Sequence, residues 1–422
     1  MNKIVITPKK LKGTVEVPSS KSMAHRAIIC AALSDGVSRI EHVDYSQDIL
    51  ATIGAMRELG TKIDTFEDSV VVDGRTTFSN KVRHIDCRES GSTLRFTVPV
   101  SLVKGIDASF TGSGKLGKRP LDIYYKIFDE QGIEYSYKKD ILDLKIKGRL
   151  VPGVFKIPGD VSSQFISGLL FSLPLLDGDS RIEITTGLES KAYVDLTLQM
   201  LETFGIEIIN EDYKKFTVRG NQKYKACDYY VESDFSSAAF WLVADAIGND
   251  ITVKGLNLNS LQADKAVILL LENMGCEIVQ RDGGIAVVPK VLRRADIDGS
   301  QCPDIIPIMS VCAALAKGHT EITNAERLRI KECDRLEATR KELNGLGGKI
   351  IEKADGLSID GVDGFCGGEV ADWTDHRITM TAAIASTGAS GKVIINEPNS
   401  VKKSYPNFWR DFANLGGEYI EC

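Results

Sequence analysis

Hydrophobic and polar positions along the chain follow a pattern that returns about every 70 residues. In each cycle an amphipathic helix ends at a glycine and a short strand begins at once, as in Ile53–Ile63 and Leu198–Ile208. The six glycines stand at positions 60, 132, 205, 275, 347 and 416, so they recur every 69 to 73 residues. A glycine is a common left-handed cap after a helix, but six at one period indicate a structural repeat.

A second marker keeps the same period, because once per cycle a polar residue opens a strongly apolar helix. The openings are Ser22, Ser92, Ser163, Ser236, Asp304 and His376, at intervals of 68 to 73 residues. These helices are apolar nearly all round, as in Phe165–Leu176, so we expect them to be buried. The sequence therefore predicts six αβ blocks, each with one buried helix whose capped N-terminus points outward.

Six blocks are too many for one hydrophobic core and suit two domains of three blocks each. The repeat arithmetic places residues 1–18 with 233–422 in one domain and residues 19–232 in the other. The expected fold class is α/β, with mixed sheets of the kind found in α+β proteins. Three buried helices in each domain, with their N-termini facing an interdomain cleft, would focus positive potential on an anionic ligand.

Composition narrows the partners and the compartment. The 422 residues carry a formal net charge of −6, which argues against nucleic acid or an anionic membrane as partner. Nine cysteines show no Cys-x-x-Cys pair and no metal-ligand spacing with the five histidines, so they read as small buried hydrophobes in a reducing compartment. The start of the chain lacks an apolar leader, and no 18-residue apolar run occurs, so we expect a cytoplasmic protein.

The residues that could carry chemistry fall at the six helix openings. The most basic stretch, Leu328–Leu336, runs into the helical pattern of Glu337–Leu346. Its Lys331 and Arg335 are four residues apart and would share one helix face beside Glu332, which favours an anion site. An ordinary amphipathic helix with a salt-bridged face explains this stretch alone equally well.

The first half of the chain offers cations, hydroxyls and glycines at three openings. Lys21 and Ser22 lack the upstream glycines of a phosphate-binding P-loop, which disfavours nucleotide hydrolysis. Thr111–Pro120 is either a basic surface turn or a loop that presents Arg119 as a planar fork for phosphate or carboxylate. The candidates in this half are Lys21, Ser22, Arg26, Gly91, Arg119, Ser162, Ser163, Gln164, Ser190 and Tyr193.

The second half adds an acid–base set. Asp304 follows a proline at a helix opening, so it is either a simple N-cap or a general base. Asp375–Arg377 supplies an acid, the imidazole of His376 and the cation Arg377, and Lys403 adds a last cation. Seven cations imply more than one anionic group, and hence two substrates, because one phosphate needs only two or three partners. These cations are Lys21, Arg26, Arg119, Lys331, Arg335, Arg377 and Lys403.

Taken together, the motifs match a known family over essentially the whole chain. They are Pro-Ser-Ser-Lys-Ser-Met-Ala-His-Arg at 18–26, Ser-Gly-Ser-Thr-Leu-Arg at 90–95, Gly-Lys-Arg-Pro at 117–120, Ser-Ser-Gln-Phe at 162–165, Leu-Arg-Ile-Lys-Glu-Cys-Asp-Arg-Leu at 328–336 and Asp-His-Arg-Ile at 375–378. The sequence resembles the 5-enolpyruvylshikimate-3-phosphate synthases, enolpyruvyl transferases of chorismate biosynthesis. The resemblance implies two domains of three βαβαββ repeats each, with the active site in the cleft.

The resemblance also implies the reaction. The enolpyruvyl group of phosphoenolpyruvate would move to the 5-hydroxyl of shikimate 3-phosphate through a tetrahedral ketal, with release of phosphate. No metal or organic cofactor is expected, and the partners are these two small molecules, without nucleic acid or membrane. We expect a monomer.

Matching motif positions imply a role for each candidate. The expected shikimate 3-phosphate ligands are Lys21, Ser22, Arg26, Ser162, Ser163, Gln164, Ser190, Tyr193, Asp304 and Lys331. The expected phosphoenolpyruvate ligands are Lys21, Gly91, Arg119, Gln164, Arg335, Arg377 and Lys403. The proposed acid–base groups are Asp304 at the hydroxyl and Glu332 with Lys21 at the methylene carbon, with His376 in support.

Some positions depart from the family pattern. Glu89 and Arg327 stand where relatives carry asparagine, and Ser92 replaces the commoner threonine. Gly91, rather than alanine, leaves room for glyphosate, so a glyphosate-sensitive enzyme is expected. Two alternatives remain: the related transferase that acts on UDP-N-acetylglucosamine, and a non-catalytic phosphate-binding repeat protein. The first carries a reactive cysteine where this chain has Gly114, and the second would not need Asp304 and Glu332.

Overall fold

The structure is a computed structural model that describes residues 3–79, 82–105, 107–288, 290–371 and 373–422. Its helices are α1 Lys21–Leu33, α2 Gln47–Glu58, α3 Gly91–Ser101, α4 Asp122–Gln131, α5 Ser163–Ser172, α6 Lys191–Thr203, α7 Phe235–Ala246, α8 Ala266–Asn273, α9 Ile306–Leu315, α10 Arg335–Gly345, α11 His376–Ser386 and α12 Phe408–Asn414.

Its strands are β1 Lys3–Thr7, β2 Lys12–Glu16, β3 Val37–Glu41, β4 Lys62–Thr65, β5 Ser69–Asp73, β6 Val82–Asp86, β7 Asp107–Thr111, β8 Glu134–Lys138, β9 Ile141–Lys147, β10 Val154–Ile157, β11 Ser180–Ile184, β12 Ile208–Glu211, β13 Lys215–Val218, β14 Tyr229–Tyr230, β15 Asp250–Lys254, β16 Glu277–Arg281, β17 Gly284–Val288, β18 Ile297–Asp298, β19 His319–Thr323, β20 Lys349–Lys353, β21 Gly356–Asp360, β22 Gly368–Val370, β23 Val393–Asn396 and β24 Glu418–Glu421.

Within the described residues, these strands form six sheets of four strands with one shared plan. A parallel pair, such as β10 and β11, is extended by an antiparallel hairpin, here β13 and β12. Along the chain a block reads strand, buried helix, strand, helix and hairpin, as in β6–α3–β7–α4–β8–β9. The predicted α/β class with mixed sheets and six repeats is confirmed.

The chain divides into two compact units. The C-terminal unit comprises Met1–Pro18 with Glu232–Cys422, and the N-terminal unit comprises Ser19–Val231. In the C-terminal unit, β1 pairs with β23 and β24, and β2 pairs with β15. In the N-terminal unit, β14 completes the first sheet beside β3. That each unit is an independently folding domain remains a prediction.

The buried helix of each block begins within three residues of its predicted opening, and in α3, α5, α7 and α11 a polar side chain caps that start. Ser90 Oγ accepts the N–H of Thr93, and Ser162 Oγ accepts that of Gln164. Asp375 caps α11 in the same way through the N–H of Arg377. The start of α9 differs, because Pro303–Ile305 forms a 3₁₀ turn that precedes the α-helix.

The six glycines of the repeat all have left-handed backbone, with φ from 67° to 101°. Each follows a helix and precedes a strand, as Gly347 does between α10 and β20. Glycine adopts this conformation without steric cost, so it lets the chain leave the helix and enter the hairpin at once.

One sequence prediction about the basic stretch is wrong. Residues Glu326–Ile330 form a 3₁₀ helix, Lys331 is extended, and α10 begins only at Arg335. The Asp334 carboxylate accepts the N–H groups of Leu336 and Glu337, and this cap fixes the helix start after Lys331. Lys331 and Arg335 therefore do not share a helix face, and the side chain of Ile330 is exposed.

The cysteines are all free, but they are not uniformly buried as predicted. Cys366 and Cys422 are exposed and Cys227 is half-buried, whereas the other six are buried. Cys366 lies in the loop between β21 and β22, and Cys422 follows β24, so neither lies in a core helix or central strand. Over the described ranges, no helix is both long and apolar enough to cross a membrane.

Candidate active site

A buried arginine organises the candidate site of the C-terminal unit. The side chain of Arg335 is about 1% exposed, and three carboxylates surround it. Its Nε donates to Asp375 Oδ2 at 2.8 Å, Nη1 to Asp304 Oδ1 at 2.8 Å and Nη2 to Glu332 Oε2 at 2.7 Å. The planar guanidinium thus links three places in the chain: the N-cap of α11 at Asp375, the 3₁₀ turn before α9 at Asp304, and the segment before α10 at Glu332.

Three further cations reach the same carboxylates. Lys331 Nζ lies 3.4 Å from Asp304 Oδ1, and Arg377 Nη2 lies 3.2 Å from Asp304 Oδ2. Lys403 Nζ lies 3.5 Å from Glu332 Oε1. The carboxylate–cation cluster therefore has four cations and three carboxylates, a formal charge of +1. Its members are Asp304, Lys331, Glu332, Arg335, Asp375, Arg377 and Lys403.

The cluster separates the proton affinities of its members. Burial alone would raise the pKa of Asp304, but Arg377, Lys331 and Arg335 hold it well below its usual range. Burial lowers the pKa of Lys331 to about 8, although Asp304 opposes that shift and Arg327 adds to it. Burial also acts against the charge of Arg335, but Asp375 and Glu332 keep its pKa well above the ordinary value. Asp304 is thus an ionised acceptor beside a lysine that titrates near neutrality.

Two further side chains, those of His376 and Cys333, lie beside Asp375. The ring of His376 is buried, with Nδ1 3.8 Å from Asp375 Oδ1. Cys333 Sγ donates to Asp375 Oδ2 at 3.5 Å. His376 therefore lies next to the carboxylate that anchors Arg335.

In the N-terminal unit, Lys21 and Arg26 of α1 lie among polar partners. Lys21 Nζ donates to Asp48 Oδ2 at 2.8 Å. Arg26 is buried, and it donates to Thr197 Oγ1 at 2.9 Å, to the Ser22 carbonyl at 2.7 Å and to the Tyr193 carbonyl at 2.8 Å. Burial lowers the pKa of Arg26 to about 10, which still leaves it charged at neutral pH. Arg26 thus ties the first turn of α1 to α6.

The second group of the N-terminal unit lies at the starts of α3 and α5. Arg95 Nη1 donates to Gln164 Oε1 at 3.2 Å, and Gln164 Nε2 donates to Ser92 Oγ at 3.0 Å. A Cβ built on Gly91 would lie 2.5 Å from Arg119 Nη1 and 2.9 Å from Arg95 Nη1. The absence of a side chain at Gly91 therefore lets the guanidinium groups of Arg119 and Arg95 approach the start of α3.

The remaining candidates in this unit lie at two helix caps. Ser162 caps α5, Ser163 is its first residue, and both precede Gln164. Ser190 lies at the N-cap position of α6 with φ of 52°, a left-handed conformation that is uncommon for serine, and Tyr193 lies in the first turn. The Tyr193 carbonyl accepts a hydrogen bond from Arg26.

Glu89, which departs from the family pattern, faces the glycine-rich loop. A Cβ on Gly114 would overlap the Glu89 carboxylate, and Gly114 has φ of 57°. The Ser113 N–H also donates to the Arg88 carbonyl at 2.7 Å. Residues 88–89 therefore pack directly on the loop that carries Arg119.

Sequence reasoning assigned no role to Asp48, Arg95 or Asp264, and did not recognise Asp375 as an anchor. Arg95 could have been found, because it lies one helical turn after Gly91. Asp48 pairs with a residue 27 positions away, and Asp375 with one 40 positions away, so only the fold reveals them. Across the part of the chain that the structure describes, no group of three or more His, Cys, Asp or Glu side chains could hold a metal ion.

Comparison with known proteins points to one family. The family model for EPSP synthase (3-phosphoshikimate 1-carboxyvinyltransferase) matches residues 5–412. A protein of Clostridium beijerinckii named 3-phosphoshikimate 1-carboxyvinyltransferase is 56% identical over 100% of this chain and 99% of its own. One of the same name from Clostridium perfringens strain 13 is 54% identical over 99% of each chain. The solved structure of EPSP synthase from Acinetobacter baumannii superposes with a TM-score of 0.83 at 26% identity and covers both chains fully.

Proposed function

Because the chain belongs to the EPSP synthase (3-phosphoshikimate 1-carboxyvinyltransferase) family, we propose that its two groups of helix-start residues bind the two substrates of that reaction. The enzyme transfers the enolpyruvyl group of phosphoenolpyruvate to the 5-hydroxyl of shikimate 3-phosphate and releases phosphate, in aromatic amino acid biosynthesis. The observation that carries the residue assignment is Asp304, an ionised carboxylate in contact with three cations.

The addition step needs one base and one acid. The 5-hydroxyl attacks C2 of phosphoenolpyruvate while its proton leaves to a base and the methylene carbon C3 gains a proton. Elimination then returns a proton from C3 and expels phosphate, so the acid and base exchange roles. Asp304 is the base at the hydroxyl, and Glu332 with Lys21 serves the methylene carbon, with His376 in support.

The cations around Asp304 explain how a weak base becomes effective. Lys331, Arg335 and Arg377 hold its pKa low while no substrate is bound. Anionic substrates that bind Lys331 and Arg377 share the positive charge with Asp304, so its proton affinity rises when the hydroxyl is in place. The same cations then stabilise the negative charge that develops on the departing phosphate.

The proposed phosphoenolpyruvate ligands include cationic side chains that contact carboxylates in this structure. They also include Gly91, whose lack of a side chain lets Arg119 lie close to the start of α3. Arg377 and Lys403 present cations at the carboxylate–cation cluster. Arg335 Nη2 also donates to Asp375 Oδ1 at 3.3 Å, so Arg335 uses four of its five N–H donors on the three carboxylates and keeps one. The full proposed set is Lys21, Gly91, Arg119, Gln164, Arg335, Arg377 and Lys403.

Shikimate 3-phosphate takes hydroxyl and cation partners. Ser162, Ser163 and Ser190 lie at helix caps, where backbone N–H groups favour a phosphate. The full proposed set is Lys21, Ser22, Arg26, Ser162, Ser163, Gln164, Ser190, Tyr193, Asp304 and Lys331. We further propose that the enzyme is a monomer and that it works in the cytoplasm. The nine free cysteines accord with such a reducing compartment.

An assay of phosphate release tests the function and both alternatives. Purified protein is mixed with phosphoenolpyruvate alone, with shikimate 3-phosphate added, or with UDP-N-acetylglucosamine added. Release only in the presence of shikimate 3-phosphate is expected. Release with the UDP-sugar would support the related transferase, and no release in any mixture would support a non-catalytic phosphate-binding protein.

Glyphosate sensitivity is proposed to depend on the missing side chain at Gly91, because Arg119 lies close against that position. Gly91→Ala places a methyl group 2.5 Å from Arg119 Nη1, so the guanidinium must move. We expect the KM for phosphoenolpyruvate to rise about tenfold and glyphosate to inhibit the variant more weakly than the wild type. Equal inhibition of both proteins, measured at matched phosphoenolpyruvate saturation, would contradict the placement of the inhibitor at Gly91.

A further inference from the structure

Asp264 is a buried carboxyl of the C-terminal unit with few partners. It lies in the 3₁₀ turn Ala263–Lys265 that precedes α8, and the residue is about 2% exposed. Its Oδ2 accepts a hydrogen bond from Ser236 Oγ, whereas its buried Oδ1 has no hydrogen-bond partner among the described residues. An ionised carboxylate in such a place would lack the several donors that normally compensate its burial.

Charged groups of three other elements act electrostatically on Asp264. They are Asp304 in the 3₁₀ turn before α9, Arg377 in α11 and Asp234 at the N-cap of α7. Cys302, at the start of the same turn as Asp304, is also close enough to feel the charge of Asp264. Asp234 is itself bonded to the Ser236 N–H and to Ser237 Oγ. One positive and two negative charges therefore act on Asp264, and the positive one belongs to Arg377, which contacts Asp304 at 3.2 Å.

The pKa values of Asp264 and Asp304 are shifted in opposite directions. Burial and then the charge of Asp304 raise the pKa of Asp264 to about 7, whereas the cations hold the pKa of Asp304 well below its usual range. Neighbouring carboxyls with opposite shifts commonly divide between a proton-holding and an ionised role. The geometry explains the division, because three of the four cations in the carboxylate–cation cluster, Lys331, Arg335 and Arg377, contact Asp304 directly.

We propose that Asp264 is a positioning residue whose protonated form leaves Arg377 to Asp304 and phosphoenolpyruvate, whereas its ionised form draws Arg377 toward a second carboxylate. This inference rests on the proposed roles of Arg377 and Asp304. When Asp264 is neutral, Arg377 is shared between Asp304 and phosphoenolpyruvate. When Asp264 ionises, a second negative charge competes for Arg377 and opposes the anionic substrate.

The test compares Asp264→Asn with the wild type from pH 6 to pH 8.5. We expect the KM values for phosphoenolpyruvate to agree within about twofold at pH 6, where Asp264 is protonated. At pH 8.5 the wild-type KM should exceed that of the variant by about tenfold, while the ratio of kcat values stays constant. Ionisation of the substrate phosphate affects both proteins equally, so the ratio isolates the enzyme group.

Ser236→Ala supplies a second variant with a distinct expectation. Loss of the Ser236 hydrogen bond removes a contact that favours the ionised form, so the rise in KM should move to higher pH rather than vanish. Asp250→Asn is the matched control, because Asp250 is an exposed carboxylate paired with Lys12 and Arg281 in the same unit. Its pH profile should follow the wild type.

Thermal unfolding gives a readout that does not depend on activity. The pKa of Asp264 is raised in the folded state, so the stability that its proton contributes is complete below the unfolded pKa of about 4 and is lost as pH rises through about 7. The Tm of Asp264→Asn minus that of the wild type should therefore increase from pH 4 to pH 8.

The outcomes are separable. A KM ratio of wild type to Asp264→Asn that is the same at every pH would overturn the proposal, as would a Tm difference that does not change with pH. Failure of the proposed function would instead appear as no phosphate release by the wild type with both substrates. In that event the Tm series still decides whether Asp264 holds a proton.

Discussion

At the scale of single residues, the site depends on charges that compensate one another. Asp304 keeps its charge because Lys331, Arg335 and Arg377 surround it, and Arg335 tolerates burial because three carboxylates surround it. Removal of one partner leaves another charge buried and uncompensated, which is costly. Substitutions that keep the charge or the shape are therefore more informative here than truncation to alanine.

The pKa of Lys331 gives a prediction about alkaline pH. Burial lowers that pKa to about 8, so the lysine loses its proton, and its ability to hold Asp304 and a substrate hydroxyl, above pH 8. We expect kcat/KM for shikimate 3-phosphate to fall about tenfold per pH unit above pH 8. Lys331→Arg keeps its charge in this range. With phosphoenolpyruvate saturating, so that ionisation of Asp264 does not contribute, its profile should be flat although its absolute activity is lower. The same falling limb in both proteins would show that another group titrates.

At the scale of elements, two features recur along the chain: polar N-caps at the starts of buried helices, and glycines with positive φ after the helices that precede strands. The α-helix starts follow from Ser90, Ser162, Asp234 and Asp375, polar caps that stand directly before apolar runs and are visible in the sequence. The start of α10 was misplaced, because Asp334 competes with the helical spacing of Leu328–Leu336 and only its hydrogen bonds reveal which residue is the cap. Local patterns thus predict elements well and boundaries less well.

Two glycines separate the effects of helix propensity and backbone strain. Gly54 lies inside α2 and Gly416 follows α12 with φ of 90°, and a Cβ at either would meet nothing within 4 Å. Gly54→Ala should raise the free energy of unfolding by about 0.5–1 kcal/mol, because alanine is the better helix former. Gly416→Ala should lower it by about 1 kcal/mol or more, because alanine is strained there. Denaturant titration measures both, and effects of the same sign would refute the explanation.

At the scale of the whole molecule, periodicity was the most informative signal. The 70-residue repeat predicted six blocks without any tertiary information, and the resemblance supplied their order of strands. The pairings that join distant residues could not be predicted, such as Arg335 with Asp375 or Lys21 with Asp48, because they depend on packing between helices. Of the candidate site, the sequence therefore identified the cations and two of their four carboxylate partners, Asp304 and Glu332. It did not reveal the pairing roles of Asp48 and Asp375.

The place of β1 leads to a prediction about the two units. Ile4 and Ile6 are about 1% exposed, and their strand lies between β23 and β24 of the C-terminal unit. Ile4→Ala with Ile6→Ala should cost that unit several kcal/mol. Limited proteolysis should then cut first within 232–422 while 19–231 stays protected.

The matched control for that experiment is Ile28→Ala. Ile28 is fully buried in α1 of the N-terminal unit, so its loss should reverse the order of cleavage. Simultaneous loss of protection in both regions, in either variant, would show that the two units unfold as one.

Substitution of Asp304 by asparagine tests the central assignment most directly. Asp304→Asn keeps the shape of the side chain and leaves all four cations of the carboxylate–cation cluster in place, but it cannot accept the hydroxyl proton. The measurement is single-turnover phosphate release with both substrates, together with the Kd for phosphoenolpyruvate. We expect the rate to fall by about a thousandfold or more while phosphoenolpyruvate binds as tightly as before, or more tightly, because a competing carboxylate is gone. A rate within tenfold of the wild type would contradict the account.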